Sequence, residues 1–389
     1  MVAFNDDQAQ IAFNVWVDRA LEPRMLERNI RPRTLSKVRP SLRFLPEVIE
    51  RQSKQKEFHL PIWEYLEIAT SHERVSNGRR ALRKNRSLFN QIEAAFGVEP
   101  EVIAAIWGLE TGYGMIRGDF PTLSALASLA YKGRRAGYFE EELAAALRII
   151  QSTNCAPDEL YGSWAGALGH GQFMPSAVLE FGVDFNGDRA ANVCESDPSD
   201  ALASIANYLK KHAWKKGRPW GVEVGLPDGF DFGFAGIDQT LSCAEWAALG
   251  LTTPDGAPLP DYGAGSLLLP AGGRGVALLV TQNFHVITSY NKSEAYAIGI
   301  GHLADRIGGG KPFFGKWPVE DRGVTVEDVR EVQFLLSQLG FDTKGIDGMR
   351  GPNTMRAARA FQQARGLVPD GYLSAALLEA LRGAIRERG

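Results

Sequence analysis

The residues best suited to acid–base chemistry surround Glu110, in the run Val102-Ile103-Ala104-Ala105-Ile106-Trp107-Gly108-Leu109-Glu110-Thr111-Gly112-Tyr113-Gly114. Helical steps back from Glu110 meet Trp107, Ile106 and Ile103. All are apolar, so a helix here sets the carboxyl on an apolar face. A glycine-rich break follows at once, which places the carboxyl at a helix end. Apolar surroundings disfavour the ionised form and raise a carboxyl's pKa. A carboxyl still protonated near neutral pH can donate its proton to a leaving group. On these residues alone, a buried glutamate satisfied by hydrogen bonds or an arginine explains the pattern equally well. Acid–base chemistry often pairs two carboxyls, one as acid and one as base. Asp119 is the nearest second one in sequence, and it reads as a solvating loop residue.

A second segment lies about fifty residues on: Gly162-Ser163-Trp164-Ala165-Gly166-Ala167-Leu168-Gly169-His170-Gly171-Gln172-Phe173-Met174-Pro175-Ser176. Glycine this dense lets a backbone approach a ligand or a neighbouring helix closely. Together the two segments resemble the lysozyme-like lytic transglycosylases that cut bacterial peptidoglycan, and within them the lytic murein transglycosylase B family. The first run is similar to that family's catalytic-glutamate motif and the second to its other active-site motif. The likeness continues through Val183-Asp184-Phe185-Asn186-Gly187-Asp188, Ala206-Asn207-Tyr208-Leu209, Gln282-Asn283-Phe284 and Tyr290-Asn291, and so covers roughly residues 10 to 305.

The resemblance implies a reaction with a single acid. Glu110 would protonate the glycosidic oxygen, then take the proton of the C6 hydroxyl of N-acetylmuramic acid as that hydroxyl closes a 1,6-anhydro ring. The substrate's acetamido group and nearby dipoles would replace a second carboxylate. By motif, Ser163, Gln172, Tyr208, Tyr290, Asn291, Tyr296, the pair Arg134-Arg135 and Tyr65 are implied as substrate contacts. Tyrosines suit a saccharide cleft, with a flat apolar face for sugar rings and a hydroxyl for their oxygens. His170 is given no role, because its neighbours match the motif but its own position varies. No cofactor is expected for the chemistry. Asp184, Asn186 and Asp188, with the Ala190 carbonyl, form the first part of an EF-hand-like loop suited to a structural calcium ion. A standard loop would close with Glu195; the family's longer loop implies Asp200. The rival readings are a hydrolytic muramidase with the same cleft, or a non-catalytic wall-binding scaffold.

These groups must be positioned by a chain of 389 residues, long enough for two or three domains. Formal net charge is −3, which does not advertise a nucleic-acid partner. From Asp18 to Arg86, however, 17 Lys and Arg face 9 Asp and Glu, a bias that suits an anionic polymer or a solvated helical surface. No apolar run has the length of a membrane span. The start, Met1-Val2-Ala3-Phe4-Asn5-Asp6-Asp7, lacks a basic then apolar leader, so a periplasmic or secreted protein would have its signal removed from this sequence. No early cysteine offers a lipid anchor. The cysteines are Cys155, Cys194 and Cys243, an odd number with no metal-site spacing.

The expected fold is α+β, mainly α. A helical core, lysozyme-like by resemblance, spans residues 8–307. Its helices are expected near Ile11–Leu26, Leu60–Glu73, Gly78–Phe96, Glu140–Ile150, Pro198–Ala213 and Ser293–Ile307. A strand-rich subdomain is expected at about 215–290, marked by Pro227-Asp228-Gly229 and Pro254-Asp255-Gly256 turns. Residues 308–323 read as a linker. Residues 324–386 read as three short helices: Thr325 with Asp328 as a capping box, Pro352 in the first turn of the second, Ser374 capping the third. Through Val332-Gln333, Asp347-Gly348, Phe361-Gln362 and Asp370-Gly371 this tail is similar to the three-helix peptidoglycan-binding module. The expected partner is therefore peptidoglycan glycan strands, bound by a monomer.

Overall fold

The structure is a computed structural model that describes residues 3–54, 60–153, 156–321 and 323–388, with side chains from residue 7 onward. Cys155 lies outside the described residues. The chain forms two compact units, Met1–Lys56 with Ser76–His212, and Glu57–Val75 with Ala213–Gly389. It is mainly helical with small antiparallel sheets, as expected.

The first unit is built on a helix with no polar face. Pro100–Thr111 buries every residue from Val102 to Gly108, as a helix apolar all round must. Pro100 opens it where no intrahelical N–H is needed, and Gly112 ends it in the left-handed conformation (φ 57°). It packs against helices Arg86–Phe96 and Ser199–Lys211. Thr122–Lys132 and Ala136–Ser152 pair closely with each other and carry much of the remaining core. The helix expected over Gly78–Phe96 is in fact two, His72–Lys84 and Arg86–Phe96. Asn85 breaks it: its backbone and side-chain N–H groups both donate to the Ala81 carbonyl, each at 3.0 Å. Local side-chain bonding of this kind competes with helix continuation.

In the second unit, strands Gly221–Val224, Ala277–Val280 and Ser266–Leu268 form an antiparallel sheet with Ala277–Val280 central. Val224, Leu267 and Leu279 pack there around Trp246, which sits on the short helix Cys243–Ala248. The end of the expected strand-rich region is helical instead, Gln282–Tyr290. Thr281 caps it by accepting from Asn283 N–H. Helix Glu294–Ile307 follows. Its Gly299 admits the Tyr65 ring and its Gly301 the Trp220 indole; a methyl group on either would come within 2.8 and 2.2 Å of those rings. The two glycines are about 200° apart around the helix, so it is gripped from two sides.

The tail folds as Val326–Gln338, Pro352–Ala364 and Ala375–Arg386 with its own core of Val332, Leu336, Phe361, Leu378 and Leu381. The capping box at Thr325 and Asp328 and the Ser374 cap are present. A repeated device locks it. Gln333 donates to Asp347 at 2.8 Å and accepts Gly348 N–H at 2.8 Å. Gln362 donates to Asp370 at 2.8 Å and accepts Gly371 N–H at 2.7 Å. Each buried glutamine thus clamps an Asp-Gly turn from the side of a helix.

Of the expected linker, residues 308–321 are more than a tether. Phe313 stacks on His302 with centroids 3.9 Å apart, and Trp317 meets Phe313 edge-on. The N–H groups of Phe314 and Gly315 donate to the two oxygens of Glu223, both at 2.6 Å. The Asp321 carboxylate accepts from Arg274 at 2.8 Å and from Ala375 N–H at 3.1 Å. Aromatic and charged residues inside a glycine-rich stretch are the signal of this packing.

Candidate active site

Glu110 occupies the last turn of Pro100–Thr111, part-exposed above a buried helix. The turn after it is tightly fixed. The Thr111 hydroxyl lies 3.1 Å from Trp107 O and 2.9 Å from His170 O, and accepts Gly114 N–H at 3.1 Å. The Tyr113 ring meets Trp107 edge-on and lies over Gly108, where any side chain would collide with it. Asp119, the second carboxyl weighed above, is exposed on the loop beyond.

The glycine-rich segment holds its shape through backbone close to backbone. A methyl on Gly169 would stand 1.9 Å from the Val193 oxygen, and one on Gly162 2.2 Å from the Ala167 oxygen. Ser163 accepts Ala167 N–H through its hydroxyl at 3.0 Å. Gln172 takes a left-handed backbone (φ 50°) and donates to Arg117 O at 3.2 Å and Gly169 O at 3.0 Å. Non-glycine residues adopt that conformation rarely, and mostly where surrounding structure enforces it. The segment ends on Ser176, whose N–H and hydroxyl donate to the buried Glu142 carboxylate at 2.9 and 2.7 Å. Tyr208 is half-buried, edge-on to Phe181 and stacked on His212 at 4.1 Å. Burial and then the charge of Glu180 push its hydroxyl pKa up. Arg134 is tied to Gln52 through its N–H (2.6 Å), while Arg135 lays its guanidinium over Tyr138, 4.4 Å from the ring centre.

The other implied contacts belong to the second unit. Tyr65 packs in the notch left by Gly299. Tyr290 ends one helix and Asn291 caps it; the Asn291 side chain accepts Ser293 N–H at 3.1 Å. Ser293 then caps the next helix through Tyr296 N–H. Tyr296 is only 6 % exposed, so most of its ring serves the core.

The acidic loop is wound by its own side chains. Asp184 accepts Gly187 and Arg189 N–H at 2.7 and 2.8 Å, Asn186 accepts Asp188 N–H and Asp188 accepts Ala190 N–H, both at 2.9 Å. Asp200, 1 % exposed, accepts N–H groups from Phe185, Asn186 and Asn192 at 2.8–3.1 Å. Carboxylate oxygens of Asp184, Asp188 and Asp200 lie within 4.8 Å of one another. Among the described residues none of the three has a cationic side chain in ion-pair range. Three converging acids, one of them buried, repel each other unless a cation joins them, and hard oxygen donors suit calcium. The Glu195 side chain accepts from Asn192 at 2.6 Å and is not among the three converging acids, whereas Asp200 is.

Two residues of this region escape sequence reasoning. His170 and Arg117 are linked to each other and to the chain at Val193, Cys194 and Glu195. The only sequence signal is a histidine amid glycines.

A family described as "Transglycosylase SLT domain" matches residues 12–305, and one described as "Putative peptidoglycan binding domain" matches residues 325–381. The membrane-bound lytic murein transglycosylase B of Escherichia coli (strain K12) is 38 % identical over 240 residues, 60 % of this chain and 63 % of that protein, so the match spans less than two thirds of its length. SltB3 of Pseudomonas aeruginosa, solved with NAG-anhNAM-pentapeptide, is 40 % identical with a TM-score of 0.91, covering 95 % of this chain and 99 % of that one. Slt35 of Escherichia coli, solved with calcium, is 31 % identical with a TM-score of 0.63, covering 76 % and 91 %.

Proposed function

This chain belongs to the transglycosylase SLT domain family, and from that premise we propose a lytic transglycosylase that cuts peptidoglycan with one carboxyl. The supporting observation is Glu110 itself. It is a part-exposed carboxyl on the end of a buried helix, and the turn beside it is fixed by Trp107, Thr111 and Gly114. Protonated Glu110 gives its proton to the oxygen between N-acetylmuramic acid and N-acetylglucosamine, and the C1–O bond breaks. The resulting carboxylate takes the proton of the muramic acid C6 hydroxyl, whose oxygen bonds to C1. Glu110 ends protonated, and no water enters the product. SltB3 is solved with NAG-anhNAM-pentapeptide as well as with NAG-NAM-pentapeptide, and binding of the anhydro form supports this route over hydrolysis. Ser163, Gln172, Tyr208, Arg134 and Arg135 in one unit, and Tyr65, Tyr290, Asn291 and Tyr296 in the other, are the proposed substrate contacts.

Digested wall sacculi are the direct test. Released muropeptides are expected to end in 1,6-anhydro-N-acetylmuramic acid by mass spectrometry. New ends that are all reducing sugars would make the enzyme a hydrolase.

The tail is the wall-binding element in this reading. The substrate sets the location outside the cytoplasm, in the periplasm or secreted; among the described residues no helix is long and apolar enough to cross a membrane. Asp184, Asn186, Asp188, Asp200 and the Ala190 carbonyl would hold calcium, which supplies charge neutralisation to the loop and no chemistry. The ion should therefore act on stability. At a hundred times its dissociation constant it adds about 2.7 kcal/mol. After thorough chelation, the melting temperature should rise on a calcium titration, and Asp184→Ala should abolish the rise. A flat titration would leave the loop as a turn only.

A further inference from the structure

His170 stands where two parts of the first unit meet the turn after Glu110. It is 3 % exposed. The Trp107 indole N–H donates to its Nδ1 at 3.0 Å. An indole only donates, so this nitrogen carries no proton. The other ring nitrogen, Nε2, lies 2.8 Å from the Glu195 carbonyl oxygen, which only accepts. Arg117 Nη1, also only a donor, stands farther from Nε2, at 3.4 Å, so the shorter 2.8 Å contact decides: a neutral ring with its proton on Nε2 satisfies the indole and the Glu195 carbonyl together, and leaves Arg117 to the Cys194 and Glu195 carbonyls. The surroundings favour that neutral form. Burial first holds the imidazole pKa below its ordinary value, and the Arg117 charge adds to this; the Glu195 carbonyl and the Asp197 charge pull the other way. Arg117 itself donates to the Cys194 and Glu195 carbonyls at 2.9 and 2.6 Å, so its charge is spent on the same stretch of chain.

The backbone of His170 adds further ties. Its carbonyl is 2.9 Å from the Thr111 hydroxyl, and its N–H donates to Val193 O at 3.2 Å. Its ring sits directly on Gly114, where a methyl group would stand 2.5 Å from Nδ1. Trp107 and Glu110 are three residues apart on one helix and so are neighbours on its surface.

We propose that His170 is a positioning residue for Glu110, bridging the Trp107 indole and the Glu195 carbonyl so that the end of the acid-bearing helix is pinned to the 193–195 segment. This rests on the reading of Glu110 as the acid. His170 touches no reacting atom; it acts through Trp107 and the turn at Thr111–Gly114. Without its ring nitrogens the buried indole N–H loses its acceptor, and the helix end is free to shift. A shift of about 1 Å at a reacting group costs on the order of 100-fold in rate.

The test uses the full chain and soluble glycan–peptide fragments, with His170→Phe, His170→Gln, Trp107→Phe and the His170→Phe/Trp107→Phe pair. Phenylalanine keeps the ring and loses both hydrogen bonds. Glutamine can accept from the indole and donate to the carbonyl. His170→Phe should lower kcat about 10- to 100-fold with KM unchanged, and His170→Gln should recover most of it. The double variant should lose no more than the worse single one, because both changes break one bridge. Nitrogen NMR of the wild-type ring should show a neutral imidazole protonated on Nε2. That measurement stands even where a variant fails to fold. Full kcat in a folded His170→Phe, a loss confined to KM, additive losses in the pair, or a charged ring each overturn the proposal. Glu110→Gln is assayed alongside. Activity there defeats the reading of the acid, whereas an inactive Glu110→Gln beside a fully active His170→Phe defeats this inference alone.

Discussion

Glu110→Gln is expected to lower turnover by nearly 10,000-fold, the upper end of the ~100- to 10,000-fold range for general acid–base catalysis. The variant keeps the shape of the side chain and removes the proton. In the proposed reaction one carboxyl gives a proton in the first step and takes one in the second, so its loss disables both. The fold should be intact or slightly more stable, because Gln cannot ionise in the last turn of a helix buried from Val102 to Gly108 and again at Thr111. Melting temperature and turnover on soluble fragments are the two measurements. Asp119→Asn serves as the contrast: that carboxyl is exposed on a loop, and near-normal turnover is expected. Loss of activity in Asp119→Asn, with substantial activity left in Glu110→Gln, would exchange the two assignments.

Much of this arrangement is legible in sequence because its determinants are local. Pro100 and Gly112 bracket the Glu110 helix with residues whose backbone preferences are fixed by covalent structure. Thr325, Asp328 and Ser374 announce the tail helices in the same way. The break at Asn85 is also local, but an asparagine within a helical pattern only sometimes bonds back on the chain, so periodicity alone runs through it. What remains hidden depends on contacts far apart in the chain. His170 reaches Trp107 across 63 positions and Glu195 across 25. Nothing in a one-dimensional pattern distinguishes it from a histidine in a glycine loop. For the acidic loop, standard spacing points to Glu195 and the family resemblance to Asp200, and it is the buried Asp200 carboxylate that converges with Asp184 and Asp188. The stretch 308–323 hides for a related reason. Glycines at its start read as a tether, yet Phe313 finds His302 and the chain that follows finds Glu223.

That packing decides where the tail can be removed. Ending the chain after Val319 keeps Phe313, Phe314, Gly315 and Trp317 in place. It strips Asp370 from Gly273 N–H and Asp321 from Arg274, and water can satisfy both newly exposed groups. Ending it after Gly310 uncovers His302 and takes both N–H donors from Glu223. The shorter protein should therefore melt lower at pH 7. Its pH dependence should differ too. Burial first, and then the Arg306 charge, hold His302 at a pKa of about 4 in the full chain. The unfolded chain binds that proton near pH 6.5 and the folded one only near 4, so stability falls as pH drops across that window. The fall is on the order of 3 kcal/mol. With Phe313 gone the imidazole meets water, its pKa returns toward the ordinary value, and the slope between pH 6.5 and 4 should flatten. Both truncations lack the three-helix module, so both should bind intact sacculi about 100-fold more weakly than the full chain, through loss of linked binding. Both should keep turnover on small soluble fragments. Sedimentation with sacculi and pH-resolved melting curves separate the two effects. Equal sacculus binding with and without residues 324–389 would remove the wall-binding role from the tail, and equal melting of the two truncations would reduce the 311–317 stretch to a tether.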